Sequence, residues 1–214
     1  MNEILRRRRA LMKKTKSGLP SAYQEVEYIV SDIYCIIPTT FYFQLNDTVN
    51  FTASTNTATG STRYFFATGS SSVNCCSLFV YGTNVYMNWC SRTTSNRFGT
   101  MIWNSSKVYN VKFENGFITA TNTADPTEVY TAAYPTYTGI PATPLALIGN
   151  PAASHLGLDG RMYTYTVTRN GSTVFNAVPC YRKADNVIGM FDTVSQTFLT
   201  NTGTGNLSKG ADVA

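Results

Sequence analysis

At 214 residues, with 14 Tyr, 12 Phe and only 14% charged side chains, the chain is long enough for one hydrophobic core and too short for two comfortable ones. Its net charge of +5 is unevenly spread: residues 1–16 carry Arg6, Arg7, Arg8, Arg9, Lys13, Lys14 and Lys16 against Glu3, a charge of +6, while ten basic and eleven acidic residues leave the remainder at −1. A nearly neutral body exerts little long-range pull on polyanions, which assigns any electrostatic partner to the opening segment.

Asn2–Lys16 is expected to form a short basic helix or an extended tail. Glu3 sits near its start, Ile4, Leu5, Leu11 and Met12 fall on a loosely shared stripe, and cations crowd its end, where they suit the helix dipole. Gly18 and Pro20 stop it. A helix of this length is marginal alone and gains order mainly by docking. No apolar region follows Arg6–Arg9 beyond Ala10, Leu11 and Met12, and no run reaches the ~18–20 apolar residues of a membrane span. The expectation is a protein made in the cytoplasm, with no membrane partner.

From Tyr23 onward the period is two. The first strand is expected over 24–31, with Val26 and Tyr28 on one face and Glu25, Glu27 and Ile29 on the other. Further strands are expected at about 39–53, 63–69, 73–82, 85–91, 97–103, 107–114, 116–122, 127–134, 144–149, 160–169, 173–180, 187–192 and 196–201. Asn115-Gly116 and Asn170-Gly171 supply the positive φ that two-residue hairpins require. Strands this short and numerous predict two packed antiparallel sheets, an all-β jelly roll or similar sandwich. Pro135, Pro141, Pro144 and Pro151 mark 135–155 as a long surface connection. Five cysteines, Cys35, Cys75, Cys76, Cys90 and Cys180, show no zinc-type spacing and read as free thiols in a reducing compartment, with at most one of Cys75 and Cys76 facing the core.

Three stretches carry a family resemblance. Leu19-Pro20-Ser21-Ala22-Tyr23-Gln24-Glu25-Val26-Glu27-Tyr28-Ile29 opens the body, Gly160-Arg161-Met162-Tyr163 precedes the Arg169-Asn170-Gly171 hairpin, and Val178-Pro179-Cys180-Tyr181-Arg182-Lys183 leads through Val187-Ile188-Gly189-Met190-Phe191-Asp192 to Phe198-Leu199-Thr200-Asn201-Thr202-Gly203-Thr204-Gly205. These resemble the LamG-like, concanavalin A-like jelly-roll domains of tailed phages and prophage-bearing gut bacteria, over roughly residues 19–210. After Ile29 the sequence Val30-Ser31-Asp32-Ile33-Tyr34-Cys35 departs from the Gly-Thr-Gln-Tyr-type turn common in that family. The resemblance implies a basic anchor segment over 1–18 and a jelly-roll domain over 19–214. It also implies a virion or tail component without shared catalytic residues.

The chemistry of the chain agrees with a binding role. The two-acid arrangement of glycoside hydrolases, a Glu-x-Asp-x-x-Glu run in concanavalin-like enzymes, is missing, and Glu25 and Glu27 belong to a terminal strand. His155, the single histidine, has Asp159 four residues on but no placed nucleophile. No cofactor or metal is expected; Asn150, Asp159, Asp125 and Asp185 are loop oxygens that suit Ca²⁺ by type but are scattered. For sugar stacking, Trp89, Trp103, Tyr134 and Tyr137 qualify by type, against the alternative that Trp89 and Trp103 are core residues.

The reading is a non-catalytic structural protein of a phage virion, assembled in the host bacterial cytoplasm. It is a capsid decoration or fibre-like module docked on an acidic capsid or tail protein through Ile4, Leu5, Arg6–Arg9, Leu11, Met12, Lys13 and Lys14. The alternative is a glycan-binding adhesin of a phage tail or bacterial surface. A nucleic-acid partner is disfavoured because basic residues do not continue as a stripe beyond residue 16.

Overall fold

The computed structural model describes residues 18–56, 62–69, 75–82, 84–91, 96–103, 107–134, 139, 141–152 and 156–214, which form strands and turns with no helix among them. The helix expected over Asn2–Lys16 lies outside the described residues. The strands are β1 (Tyr23–Glu25), β2 (Ile29–Ser31), β3 (Asp47–Thr55), β4 (Thr62–Ala67), β5 (Cys75–Tyr81), β6 (Asn84–Ser91), β7 (Asn96–Ile102), β8 (Tyr109–Glu114), β9 (Phe117–Asn122) and β10 (Val129–Ala133). They continue with β11 (Gly160–Arg169), β12 (Ser172–Arg182), β13 (Ile188–Asp192), β14 (Thr197–Thr200) and β15 (Leu207–Lys209).

Two antiparallel sheets result. The large one runs β10-β9-β8-β3-β11-β12-β13-β14 and also takes in β1, β2 and β15; the small one runs β4-β5-β6-β7. Alternation along each strand sends one set of side chains between the sheets. Val49, Phe51 and Ala53 of β3, Val111 and Phe113 of β8, and Tyr165 and Val167 of β11 meet Phe65, Phe66, Leu78, Val80, Val85, Met87 and Trp89 of the small sheet. The seam is aromatic: Phe51 lies 5.9 Å from both Phe65 and Phe66, Phe66 lies 5.7 Å from Phe113, and Trp89 stacks on Phe113 at 5.0 Å. The Asn-Gly turns behave as the sequence requires, with positive φ at Asn115, Gly116, Asn170 and Gly171.

Four expectations need correction. The strand read over 24–31 is two strands, because Val26 bridges Asp212 while Glu27 bends away; Glu25 and Glu27 therefore do not share a strand face, and Ile29 joins Val26 in the core while Tyr28 is half-buried. The strand expected from 39 begins only at Asp47. The connection 135–155 does not stay on the surface: Leu145–Asn150 are buried. Their backbone is satisfied on both sides, with Ala146 exchanging bonds with Ala67 of β4, and Leu147 N–H donating to the Ile37 carbonyl at 2.9 Å. Finally, β15 was not anticipated; it pairs with β2, so the carboxyl-terminal residues seal the opening strand.

The seal depends on one side chain. Asn201 Oδ1 accepts from the N–H of Ile36 (2.8 Å) and of Gly203 (2.9 Å), while its Nδ2 donates to the carbonyls of Gly205 (2.7 Å) and Gly203 (3.3 Å). Asp32 completes the clasp, accepting from the N–H groups of Tyr34 and Asn206 at 2.8 Å each, hydrogen bonds that hold its carboxyl below its ordinary pKa although partial burial opposes them. A Cβ on Gly203 would run into the Tyr34 carbonyl, and one on Gly205 into the Asp32 carboxylate. The Asn-Thr-Gly-Thr-Gly run therefore has a structural task. Asn201→Ala should cost about 2–3 kcal/mol, since it strands several backbone groups at once. Urea unfolding checks this: the midpoint should fall with the slope unchanged, and an unaltered midpoint would remove the clasp from the account.

Candidate functional site

The same alternation that fills the core decides what the small sheet shows on its other face. In β5 the core side chains are Cys76, Leu78 and Val80, so Cys75, Ser77, Phe79 and Tyr81 point away. In β6 Val85, Met87 and Trp89 face the core, which turns Asn84, Tyr86 and Asn88 outward. In β4 a register shift between Tyr64 and Phe66 lets both Phe65 and Phe66 enter the core and leaves Tyr64 outside.

Register then aligns three rings across three strands. Tyr64 is opposite Phe79, and Phe79 is opposite Tyr86. The ring centroids are 5.0 Å apart for Tyr64 and Phe79 and 5.5 Å for Phe79 and Tyr86, the latter nearly parallel at 13°. Phe79 is buried between its neighbours, Tyr64 and Tyr86 are half-buried, and Tyr81 is 52% exposed at the strand end. Polar groups border the row. Asn88 Nδ2 donates to Ser77 Oγ at 3.2 Å, a buried pair, and the exposed Arg97 Nη2, from the strand beside Tyr86, donates to Asn84 Oδ1 at 2.6 Å. Burial pushes the Tyr64 phenol above its ordinary pKa, although a hydrogen bond with the Asn150 side chain opposes the shift. A row of aromatic rings edged by amides, a hydroxyl and a guanidinium is chemistry for binding an uncharged polar ligand with apolar faces.

The aromatic residues singled out by type stand elsewhere. Trp89, stacked on Phe113, is a core residue; Trp103 is fully buried and stacks on Phe65 at 4.2 Å; Tyr134 lies 5.3 Å from Trp89. Their faces are spent on the seam between the sheets, so the structure does not offer Trp89, Trp103 or Tyr134 to a sugar. Tyr137, His155 and the tail residues Ile4, Leu5, Arg6, Arg7, Arg8, Arg9, Leu11, Met12, Lys13 and Lys14 lie outside the described residues. The loop oxygens do not converge either. Asp125 caps its own turn through Thr127, Asp185 holds Arg182, Asp159 accepts from Asn56, and Asn150 accepts from the N–H of Ala152. Among the described residues no three metal-ligating side chains gather. Cys35 and Cys180 are buried free thiols, and burial pushes both up to about 12, which keeps them protonated and unreactive; Cys75 and Cys76 are buried as well.

Another polar centre, not anticipated from the sequence, closes the β8-β9-β10 end of the large sheet. The Glu128 carboxylate accepts from Lys107 Nζ (2.6 Å), Tyr109 Oη (2.6 Å), Asn122 Nδ2 (2.7 Å) and Tyr130 Oη (3.1 Å). Its convergence on one acid had no signal in spacing, because the donors come from positions 107 to 130 through three strands.

No protein-family model and no curated protein sequence matches the chain. Solved structures do. A candidate carbohydrate-binding protein from Bacteroides ovatus superposes with a TM-score of 0.56 at 8% identity, over 89% of this chain and 62% of that one. A heptameric SAP-like pentraxin from Limulus polyphemus gives 0.52 at 11% identity, over 87% of this chain and 96% of the pentraxin. The chain is an all-β jelly-roll sandwich. It spans about 62% of the length of the Bacteroides protein, and at these identities the likeness shows the fold alone. Tailspike protein 2 of the Escherichia coli O157:H7 bacteriophage CAB120 fits at a TM-score of 0.44, too loosely to carry an argument.

Glu128 generates a pH prediction. Its hydrogen bonds, led by that from Lys107, bring its pKa from an ordinary 4.5 to about 2 in the fold. A native pKa below the unfolded one means that the unfolded chain binds the proton first. The contribution is complete above about pH 5 and fades as pH falls toward 2. Glu128→Gln should cost about 1–3 kcal/mol at pH 7 and flatten the acid limb of a urea-midpoint profile between pH 5 and 2. An acid limb identical to that of the wild type would show that Glu128 carries no such linkage.

Proposed function

We propose that the chain is a non-catalytic glycan-binding module whose binding face is the outer face of the small sheet. The observation that supports this most strongly is the Tyr64, Phe79, Tyr86 row, placed across three strands and edged at the surface by Asn84 and Arg97, with the Asn88–Ser77 pair buried beside it. Pyranose rings have apolar faces and hydroxyl edges, which match aromatic rings and amides respectively. The likeness to a candidate carbohydrate-binding protein accords with this reading. The absence of catalysis is part of the proposal: Glu25 and Glu27, the acids closest in sequence to a hydrolytic pair, are parted by the bend at Glu27.

A second reading concerns where the module is held. The charge of +6 over residues 1–16, set against a body at −1, supports a basic anchor on an acidic capsid or tail protein. On that reading the protein is a decoration or fibre-like component of a phage virion, assembled in the bacterial cytoplasm, with the jelly roll presented outward to host surface glycan.

A glycan array on the full chain tests the binding face. Tyr86→Ala should weaken the strongest array signal about ten-fold, the equivalent of about 1.4 kcal/mol, and Tyr64→Ala should weaken it too, with both variants retaining a cooperative thermal transition. Replacing Arg6, Arg7, Arg8 and Arg9 by Gln should leave the signal in place. An unchanged signal in Tyr86→Ala removes the small sheet as the binding face, and a signal lost only with the arginines transfers binding to the tail.

A further inference from the structure

On the large sheet, the Gly160-Arg161-Met162-Tyr163 stretch has no part in the site above. Here β11 changes partners: Gly160–Met162 pair with β2, whereas Tyr165 onward pairs with β12. On its other side β11 pairs with β3, and the register slips between Met162 and Thr164, so that Tyr163 is the bulged residue. A bulge re-aims the side chain it carries. Tyr163 comes to lie beside Tyr28, with ring centroids 5.1 Å apart and planes at 58°, and the Arg161 guanidinium carbon sits 4.8 Å from the Tyr28 ring centroid. The other side of Tyr28 is also fixed. A Cβ on Gly210 would fall 2.8–3.0 Å from three carbons of that ring, so glycine at 210 is what lets the backbone close against it.

We propose that Arg161, Tyr28 and Tyr163 form a second saccharide site, one that takes an acidic sugar by its carboxylate. Among the described residues Arg63, Arg169 and Arg182 each hold an aspartate, whereas no carboxylate pairs with Arg161. Arg161 is exposed, and the neighbouring Tyr163 phenol raises its already high pKa, so the guanidinium is charged at any working pH. A guanidinium has five N–H donors in a planar fork, which gives it an edge for two-pronged contact with a carboxylate. Lying over Tyr28, that fork is oriented before a ligand arrives, which lowers the entropy lost on binding. With Tyr28 covered by Arg161 and Gly210, the half-buried ring of Tyr163 supplies the apolar surface that a pyranose ring covers. Fork and ring together specify a sugar acid. A neutral sugar leaves the charge unanswered, and a bare anion leaves the ring uncovered.

The site is separate from the Tyr64, Phe79, Tyr86 row, so the two fail independently. Isothermal titration of the full chain with a short oligogalacturonate, at low ionic strength, tests it. Arg161→Gln should weaken binding about ten-fold or more, the size expected for a charge-assisted pair. Gly210→Ala, which changes no charge, should weaken it by displacing Tyr28. Tyr86→Ala and the replacement of Arg6, Arg7, Arg8 and Arg9 by Gln should leave it intact. The fully methyl-esterified oligosaccharide should not bind to the wild-type chain. The proposal is overturned if the wild-type chain takes up no oligogalacturonate, if Arg161→Gln binds as tightly as the wild type, or if inorganic phosphate displaces the ligand at equal concentration.

Discussion

The constraint on which this structure depends is the period of two imposed by strands that must fill an aromatic seam. Phe51, Phe65, Phe66, Phe113, Tyr165 and Trp89 meet between the sheets at ring separations of 5.0–5.9 Å, and burying them fixes the parity of every strand that contributes one. Once Leu78, Val80, Met87 and Trp89 are inside, Phe79 and Tyr86 have to be outside. The outward aromatic row is thus a by-product of core packing in position, though not in composition. Phe79 is buried between its neighbours, whereas the half-buried position of Tyr86 would ordinarily carry a polar residue.

The large sheet shows that ordinary pattern. Asn50 and Thr52 of β3 face Lys112 and Asn110 of β8, and those face Thr119 and Thr121 of β9. The contrast between this polar face and the aromatic outer face of the small sheet makes the second face the better candidate for a ligand. Buried ion pairs and clasps then hold the ends. Asp47, inaccessible to solvent, takes both prongs of Arg169 at 2.7 and 2.9 Å. Asp192 likewise gathers the N–H groups of Asn176, Val194 and Ser195 at the β13-β14 turn.

Much of the fold was legible from local chemistry. Asn-Gly at 115–116 and 170–171 announced two hairpins, and alternation located most of the strands. What local pattern could not show is the work of long-range backbone pairing. Leu145–Ile148 is an apolar run flanked by prolines, and only its two-sided hydrogen bonding, to 37–41 and to β4, makes it an interior segment. β15 is three residues long, too short for a periodic signal, and exists because Asn201 and Asp32 turn the chain back toward β2. For the site, residue type misled. Tryptophans attract attention as sugar-stacking groups, yet Trp89 and Trp103 lie on core positions, whereas Tyr64, Phe79 and Tyr86 align only when the slip between Tyr64 and Phe66 is known. The usable signal was Cys75–Tyr81, an almost continuous apolar strand, which implies either a covered second face or an exposed binding one.

The functional account therefore reduces to which face of the sandwich meets a ligand. Amide chemical-shift mapping by NMR answers this directly, using the full chain and the glycan it selects most strongly from an array of neutral saccharides. Shifts should centre on Tyr64, Phe79, Tyr86 and Asn88 and fade toward the outer threonines of β3 and β9. Shifts centred on those threonines, with β4, β5 and β6 unmoved, would contradict it.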